Sequence, residues 1–508
     1  MTIQRYPVGQ QDFGEIRRNG FIYVDKTEHI FNLLIQNKYY FLSRPRRFGK
    51  SLLISTIECI LKGQKELFKG LYIEDKWVFE EYPIIRISFS NIGYRESGLE
   101  IALTRSLKSS AAQYGLTLIE SDTSQSFKEL IQALHKKYKK QVVVLIDEYD
   151  KPIIDYLDKE NIHIAREHRS VMKTFYSILK DADPYLKLVF ITGVSKFSQV
   201  SIFSDLNNLF DLTFSPNFSS ICGITQKELE TNFIEELKIH DVVKIKEWYN
   251  GYRWDMDGPS LYNPFSLLKF FSDNGKYYNH WFATGTPTFL MDMAKAQKFY
   301  DITNLEVSSF LLSNFDIDKM EIVPILFQTG YLTIVKHDWE FDRVKLDYPN
   351  REVRASYLIY LTQAYTNKSA HEISALPFDL LDSIRLKNAA LLKDTINRSF
   401  AQLPYDLWQR ENEHFYHAIV HLLFTYLGVY VQSEVHTKLG RADAIINIEE
   451  GIFCLEFKLD KTASEAVQQV KDKGYLDAYR YLKKPCFIIG INFSSTNRAV
   501  EELIFVED

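Results

Sequence analysis

The stretch Tyr39-Tyr40-Phe41-Leu42-Ser43-Arg44-Pro45-Arg46-Arg47-Phe48-Gly49-Lys50-Ser51 reads as a buried strand running into a loop that ends in Gly-Lys-Ser. A phosphate-binding loop needs a strand to anchor it, backbone N–H groups free to point inward, a lysine for the outer phosphates and a hydroxyl for magnesium. Gly49, Lys50 and Ser51 supply the last three, and the apolar run from Leu52 to Leu61 suits a buried helix whose positive end faces the phosphates. Arg46, Arg47, Phe48, Gly49, Lys50, Ser51 and Leu52 are therefore the candidate nucleotide contacts. The departure from GxxxxGK[ST] is at its first glycine, where this chain has Arg44 followed by Pro45.

A second signal lies about a hundred residues on. Val142-Val143-Val144-Leu145-Ile146-Asp147-Glu148 has the look of a buried strand ending in two acids. Asp147 is placed to hold magnesium through water, and Glu148 to orient or deprotonate the attacking water. The bland alternative is a core strand with two solvated acids at its end. A strand over 186–192 ends in Thr192, on the edge where open α/β sheets bind ligands, so Thr192 can sense the outer phosphate or be an ordinary strand-end threonine.

With 508 residues, 46% hydrophobic and 14% aromatic, the chain predicts a globule of about three domains rather than a disordered protein. The net charge of −5 argues against a protein that coats nucleic acid, so any DNA contact should be local. Cys59, Cys222, Cys454 and Cys486 form no CxxC pair, which indicates neither a zinc site nor a disulfide framework. The N-terminus has no signal-peptide core and no stretch reaches a membrane span, so the expected location is cytoplasmic, with no membrane partner.

Up to residue 222, strand-like runs at 39–43, 84–90, 142–146 and 186–192 alternate with helical stretches, as a parallel sheet requires. From 223 to 304 helical patterns dominate around Trp248-Tyr249-Asn250-Gly251-Tyr252-Arg253-Trp254-Asp255, which reads as a helical lid. Arg253 could reach a triphosphate, or stack on the aromatics beside it. Residues 305–360 predict helices and a hairpin over 341–353, the outline of a winged-helix region whose expected role is packing rather than DNA reading. A helical connector follows to about 404.

The last hundred residues give a helix (412–427), strands (430–437, 442–448, 452–459), a helix (463–482) and a strand (486–491). Within this α-β-β-β-α-β order lie Gly440-Arg441-Ala442-Asp443 and Glu456-Phe457-Lys458. Residues two apart on a strand share a face, so Glu456 and Lys458 project together and Asp443 on the neighbouring strand can join them. Two carboxylates can hold magnesium while the lysine positions or activates the water that attacks a phosphodiester. Gln469 on the next helix could support the lysine and Glu434 is a possible extra acid. A surface strand would give the same alternation. Glu413 and His417, at i and i+4, read as a solvated helix face.

In combination these motifs resemble the bacterial family of AAA-ATPase-like proteins with a C-terminal nuclease domain of the PD-(D/E)XK superfamily. The resemblance runs through Tyr23-Val24-Asp25-Lys26-Thr27, the Arg44–Ser51 loop, Leu145-Ile146-Asp147-Glu148-Tyr149-Asp150, Thr192-Gly193-Val194-Ser195, Tyr249-Asn250-Gly251-Tyr252, Thr284-Gly285-Thr286-Pro287, and the two C-terminal motifs. With the residue patterns, it gives an α/β multidomain protein: the resemblance implies a P-loop NTPase of AAA-like type over 1–222 and a restriction-endonuclease-like domain over 405–508, and the patterns place a helical lid over 223–304 and a winged-helix region and connector over 305–404 between them. It also implies ATP and Mg2+ as cofactors, Glu148, Asp443, Glu456, Lys458 and Gln469 as catalytic residues, and Ser51, Asp147, Asp443 and Glu456 as metal ligands. DNA is the expected partner, and a homo-oligomer is an allowed assembly. Asp25-Lys26-Thr27-Glu28 is expected to be a helix capping box. Two alternatives stay open: a nucleotide-controlled interaction protein whose nuclease-like domain only binds, and a plain ATPase with a C-terminal assembly domain.

Overall fold

A computed structural model of the chain describes residues 5–196, 202–203, 206, 208–255, 257–281, 288–297, 299, 302–313, 318, 320–366, 369–400, 422–428, 432–435 and 443–508. The motif at Thr284–Pro287, the residues Gly440–Ala442, and Glu413 and His417 lie outside the described residues, as does the side chain of Glu434. Contacts group the chain into two compact units, Met1–Thr284 with Ile302–Glu352, and Gly285–Asp301 with Val353–Asp508. Among the described residues no helix is long and apolar enough to cross a membrane.

The first unit is built on five parallel strands: β1 (Tyr39–Ser43), β2 (Ile84–Ser88), β3 (Val142–Asp147), β4 (Leu186–Gly193) and β5 (Phe210–Asp211). Every residue of β1 and β3 is buried, which is why both read as unbroken apolar runs: helices cover both faces of such a sheet. The spatial order is β2-β3-β4-β1-β5. β4 is thus inserted between the loop strand β1 and the acidic strand β3, so the carboxyl ends of three neighbouring strands bring the loop, Thr192 and Asp147 together. β2 stops two residues short of the expected end, because Ser88 closes a turn by accepting the N–H of Asn91 at 3.0 Å.

Residues 224–271 form a separate apolar cluster from Ile224, Leu229, Phe233, Ile245, Tyr249, Tyr262, Leu267, Phe270 and Phe271. It is stapled to the N-terminal segment by Lys26, which pairs with Glu228 at 2.6 Å and donates to the Ser220 carbonyl at 2.8 Å. The capping box expected at Asp25–Glu28 does not form. Asp25 instead uses one carboxylate oxygen on Thr27 N (2.8 Å) and Oγ1 (2.7 Å) and the other on Tyr72 N (2.8 Å), holding two segments rather than closing one turn. Capping boxes lie instead at the helix Gln226–Asn232, between Thr225 and Glu228, and at the helix Ala370–Arg385, between Ser369 and Glu372.

Further along, β8 (Leu305–Ser308), β9 (Thr333–Asp338) and β10 (Arg343–Asp347) make an antiparallel sheet in the order β8-β10-β9; β6 (Ile224–Thr225) and β7 (Leu261–Tyr262) are a short pair of their own. The hairpin expected over 341–353 is displaced: its strands are β9 and β10, and the chain is helical again from Arg351.

The second unit holds the sheet β11 (Gln432–Val435), β12 (Ala444–Ile448), β13 (Gly451–Leu459), β14 (Cys486–Ser494) and β15 (Ala499–Glu507) in sequence order. All neighbours are antiparallel except β13 and β14, which are parallel because the helix Ala463–Lys473 crosses between them. That helix was expected to run to 482. It stops at Lys473, where Gly474 adopts a left-handed conformation (φ 61°), and Asp477–Leu482 form a 3-10 turn. The final strand β15 was not anticipated. Asn397, on the helix Ala389–Phe400, bonds Val500 of β15 through both its amide nitrogen (3.2 Å) and its amide oxygen (2.7 Å), so these helices belong to the C-terminal core.

Candidate functional site

Gly49 sits at the N-cap of the helix Lys50–Leu61 with φ 93°. A Cβ there would touch nothing within 4 Å, so glycine is required for its backbone angle rather than for space. The turn delivers Lys50 back across the loop, where its ammonium donates to the carbonyls of Arg44 (2.8 Å) and Pro45 (2.9 Å). Burial pushes the Lys50 pKa down, and Glu148, Asp147 and Asp150 oppose that shift.

Arg44, at the position of the missing glycine, is wholly buried. Its guanidinium donates to the carbonyls of Ser43 (2.8 Å) and Thr213 (2.9 Å), reaches those of Phe218 and Ser219 at 3.4 Å, and lies 5.0 Å from the Trp254 ring. Burial lowers its pKa to about 10. Arg44 is therefore a bracket for the loop, not a ligand-facing cation.

A cavity of about 300 Å³ opens beside the loop. Arg46, Arg47, Gly49, Lys50, Ser51, Leu52 and Glu148 line it, with Gln10, Gln11 and Phe265 opposite. The Arg47 guanidinium lies 4.9 Å over the Phe265 ring. Phe48 is not in the lining: its ring packs edge-on against Tyr252 (4.8 Å) and Trp254 (5.8 Å). Arg253 does not line it either; its backbone N–H donates to Thr333 Oγ1 at 2.9 Å. Within the phosphate loop, the arginines that meet aromatic rings are Arg44 and Arg47.

At the strand ends, Thr192 Oγ1 donates to Asp147 Oδ1 at 2.7 Å. Glu148 takes a left-handed backbone angle (φ 55°) that turns its side chain toward a second cavity of about 210 Å³ with Arg46, Ser90, Asp150 and Lys151. The Ser90 hydroxyl donates to Glu148 Oε2. Burial raises the Glu148 pKa, as suits a proton acceptor. Ser90 and Asp150 were missed by the sequence reading. Asp150 is buried and accepts Val194 N (3.0 Å), Ser195 N (2.7 Å) and Ser195 Oγ (2.8 Å), fixing the end of β4. Gly193 is small because a Cβ would strike the Tyr149 ring. The repeated acids of Asp147-Glu148-Tyr149-Asp150 were a signal for Asp150; nothing local marked Ser90.

In the second unit, antiparallel register pairs Ala444 with Leu455, which sets Asp443 beside Glu456 one step on. Asp443 Oδ2 accepts the Phe457 N–H at 2.8 Å. Lys458 Nζ donates to Glu456 Oε1 (3.0 Å) and Gln469 Oε1 (2.6 Å), and the Gln469 amide N–H donates to Glu456 Oε1. The four residues expected at this site converge. Burial raises Asp443 to about 6, and burial with repulsion from Asp443 raises Glu456 to about 7, Lys458 opposing both shifts.

Does this donor set fit a divalent cation? Among the described residues no group of three or more His, Cys, Asp or Glu forms a closed cage. Glu456 Oε2, however, is buried with no hydrogen-bond partner among the described residues, and two raised carboxylates side by side are what a hard cation would relieve. Asp443 and Glu456 fit such an ion in an open site.

Residues 7–203 match the profile of the AAA-ATPase-like family, described as predicted AAA-ATPases, and residues 411–503 match the PD-(D/E)XK nuclease superfamily. The chain is 36% identical over 514 residues to a protein of Azotobacter chroococcum mcd 1 described as an uncharacterized protein in the vnfD 5' region, covering 98% of each chain. The two domain families imply use of a nucleotide and a divalent metal. The parallel five-stranded sheet fits the first family and the C-terminal mixed sheet the second. The chain belongs to the family of AAA-ATPase-like proteins that carry a C-terminal PD-(D/E)XK nuclease superfamily domain.

Proposed function

We propose that the protein is a nucleotide-governed DNA endonuclease, in which ATP bound and hydrolysed in the first unit controls phosphodiester cleavage by the second. The observation that carries this reading is the C-terminal constellation: Lys458 held between Glu456 and Gln469, beside a buried carboxylate oxygen with no partner.

In the first unit, Lys50 and the N–H groups after Gly49 bind the phosphates, with Arg46 and Arg47 at the cavity rim. Ser51 and Asp147 would hold Mg2+, and Thr192 orients Asp147. Glu148 accepts the proton of the attacking water while Ser90 fixes its direction. Residues 224–281 serve as a helical lid, since Phe265 and Leu268 close one wall of the cavity. Residues 305–347 serve as a winged-helix-like packing element. In the second unit, Asp443 and Glu456 would hold the metal, which supplies charge for the scissile phosphate. Lys458 orients the attacking water, with Gln469 fixing its direction. A cytoplasmic role in nucleic-acid processing or defence against foreign DNA suits this pairing.

The test is cleavage of plasmid DNA with Mg2+ by the full chain and by the double variant Glu456→Ala/Lys458→Ala. Cleavage by the first alone is expected. Equal cleavage by both would assign the activity elsewhere, and no cleavage by either would leave the second unit a binding domain.

A further inference from the structure

Phosphate loops usually hold their ligand through glycines and backbone, with little side-chain anchorage. Here every residue from Arg44 to Phe48 is gripped from outside the parallel sheet. Arg44 faces Trp254, and Arg47 faces Phe265. A Cβ at Gly330 would come within 2.8 Å of the Pro45 ring, so that glycine is there to let Pro45 in. Phe48 is wedged between Tyr252 and Trp254. The remaining residue, Arg46, lines both cavities, and its carbonyl accepts the indole N–H of Trp281 at 3.2 Å.

Trp281 is bound at its other end as well. Its backbone N–H donates to Glu352 Oε1 at 2.8 Å, and the same oxygen accepts the Ser266 hydroxyl at 3.0 Å. Glu352 is wholly buried, its second carboxyl oxygen has no hydrogen-bond partner among the described residues, and burial raises its pKa to about 8, which favours the neutral acid. Glu352 is also the last residue of the first unit, and lies in the first turn of the helix Arg351–Thr366 that carries the chain into the second.

We infer that Trp281 is a positioning residue that couples the phosphate loop to that helix: its indole reads the Arg46 carbonyl and its backbone holds the Glu352 carboxyl. This rests on the nucleotide-switch reading above and names the route by which the switch leaves the nucleotide site. Among the described residues, the Arg46 carbonyl is joined through one residue, Trp281, to Glu352, where the units meet along the chain. A shift of the loop around a triphosphate therefore moves Trp281, and through it the first turn of the helix.

The test uses the full chain, ATP with Mg2+, and amide hydrogen exchange of residues 351–366, a readout independent of nuclease activity. In wild type, ATP is expected to change exchange in this segment at least ~3-fold. Trp281→Phe keeps an aromatic ring against Tyr331 and deletes the indole donor together with part of the ring; it is expected to bind ATP within ~3-fold of wild type and to lose the exchange response. Glu352→Ala should lose it too, whereas Glu352→Gln, which retains the acceptor and mimics the neutral acid, should keep it. Should Trp281→Phe misfold, the Ala/Gln pair at 352 decides. Failure of wild type to bind ATP sinks the nucleotide reading itself. Binding without an exchange response, or an undiminished response in Trp281→Phe, overturns the coupling role alone.

Discussion

Glu456→Gln is predicted to stabilise the C-terminal unit at alkaline pH while abolishing its response to metal. Glu456 is 3% exposed, and its pKa rises from 4.5 to about 7 on folding. An acid whose folded pKa exceeds its unfolded one favours its neutral form in the native state. Its contribution is complete below pH 4.5 and is lost as pH rises through about 7. At about 1.4 kcal/mol per pKa unit, the ionised carboxylate costs roughly 3 kcal/mol at pH 8. Glutamine keeps the acceptor for Lys458 and Gln469 without the charge, so it recovers most of that. For a unit of this size the gain corresponds to a rise of roughly 6–12 °C in melting temperature at pH 8. At pH 4.5 the difference should fall below about 0.5 kcal/mol. Mg2+ should act the other way: at a hundred times its Kd it adds about 2.7 kcal/mol to wild type and little to the variant. The assay is calorimetry of the full chain at both pH values, with and without Mg2+, and exchange of the Phe457 amide to identify the unit that melts. A variant that melts at or below wild type at pH 8 would refute the view that Glu456 is held ionised at a cost for a cation.

Three further substitutions probe the first unit. Ser90→Ala removes the donor that fixes Glu148 and should lower kcat for ATP hydrolysis roughly tenfold with Kd for ATP unchanged, measured by turnover and by fluorescent-nucleotide titration. Arg44→Lys should cost several kcal/mol, about 3 or more, because an ammonium cannot reach the carbonyls that the buried guanidinium bridges; denaturant unfolding with and without nucleotide checks it. Gly251→Ala should destabilise by at least about 3 kcal/mol, since residue 251 has φ 108° and a Cβ would overlap the Pro349 carbonyl; soluble yield and melting temperature report it.

The parts of the fold legible in the sequence are those set by local pattern. β1, β3 and β4 are apolar runs because both faces are buried, and Glu456 and Lys458 interrupt the apolar strand β13 where the face that carries Ile452 and Cys454 into the core runs out into the site. Strand order was not legible, since it depends on pairings across the chain, and with it the reason Thr192 reaches Asp147. Ser90 and Glu352 were missed for the same reason: each acquires its role from a partner more than fifty residues away. The early end of the helix at Lys473 was legible in principle, because Lys473-Gly474 is a left-handed cap signal that the apolar spacing beyond it obscured. Arg44 shows the limit of motif reading: the residue that breaks the expected pattern holds the loop together, through contacts with residues 213–219 that no local pattern announces.

The central claim is that the nucleotide site governs the nuclease site, and the most direct measurement is the rate of plasmid cleavage with Mg2+, with and without ATP, for wild type and Lys50→Ala. The account predicts that ATP changes the wild-type rate severalfold, and that Lys50→Ala cleaves at one rate whether or not ATP is present. An equal ATP response in Lys50→Ala, or an ATP-indifferent wild type that binds the nucleotide, would contradict it.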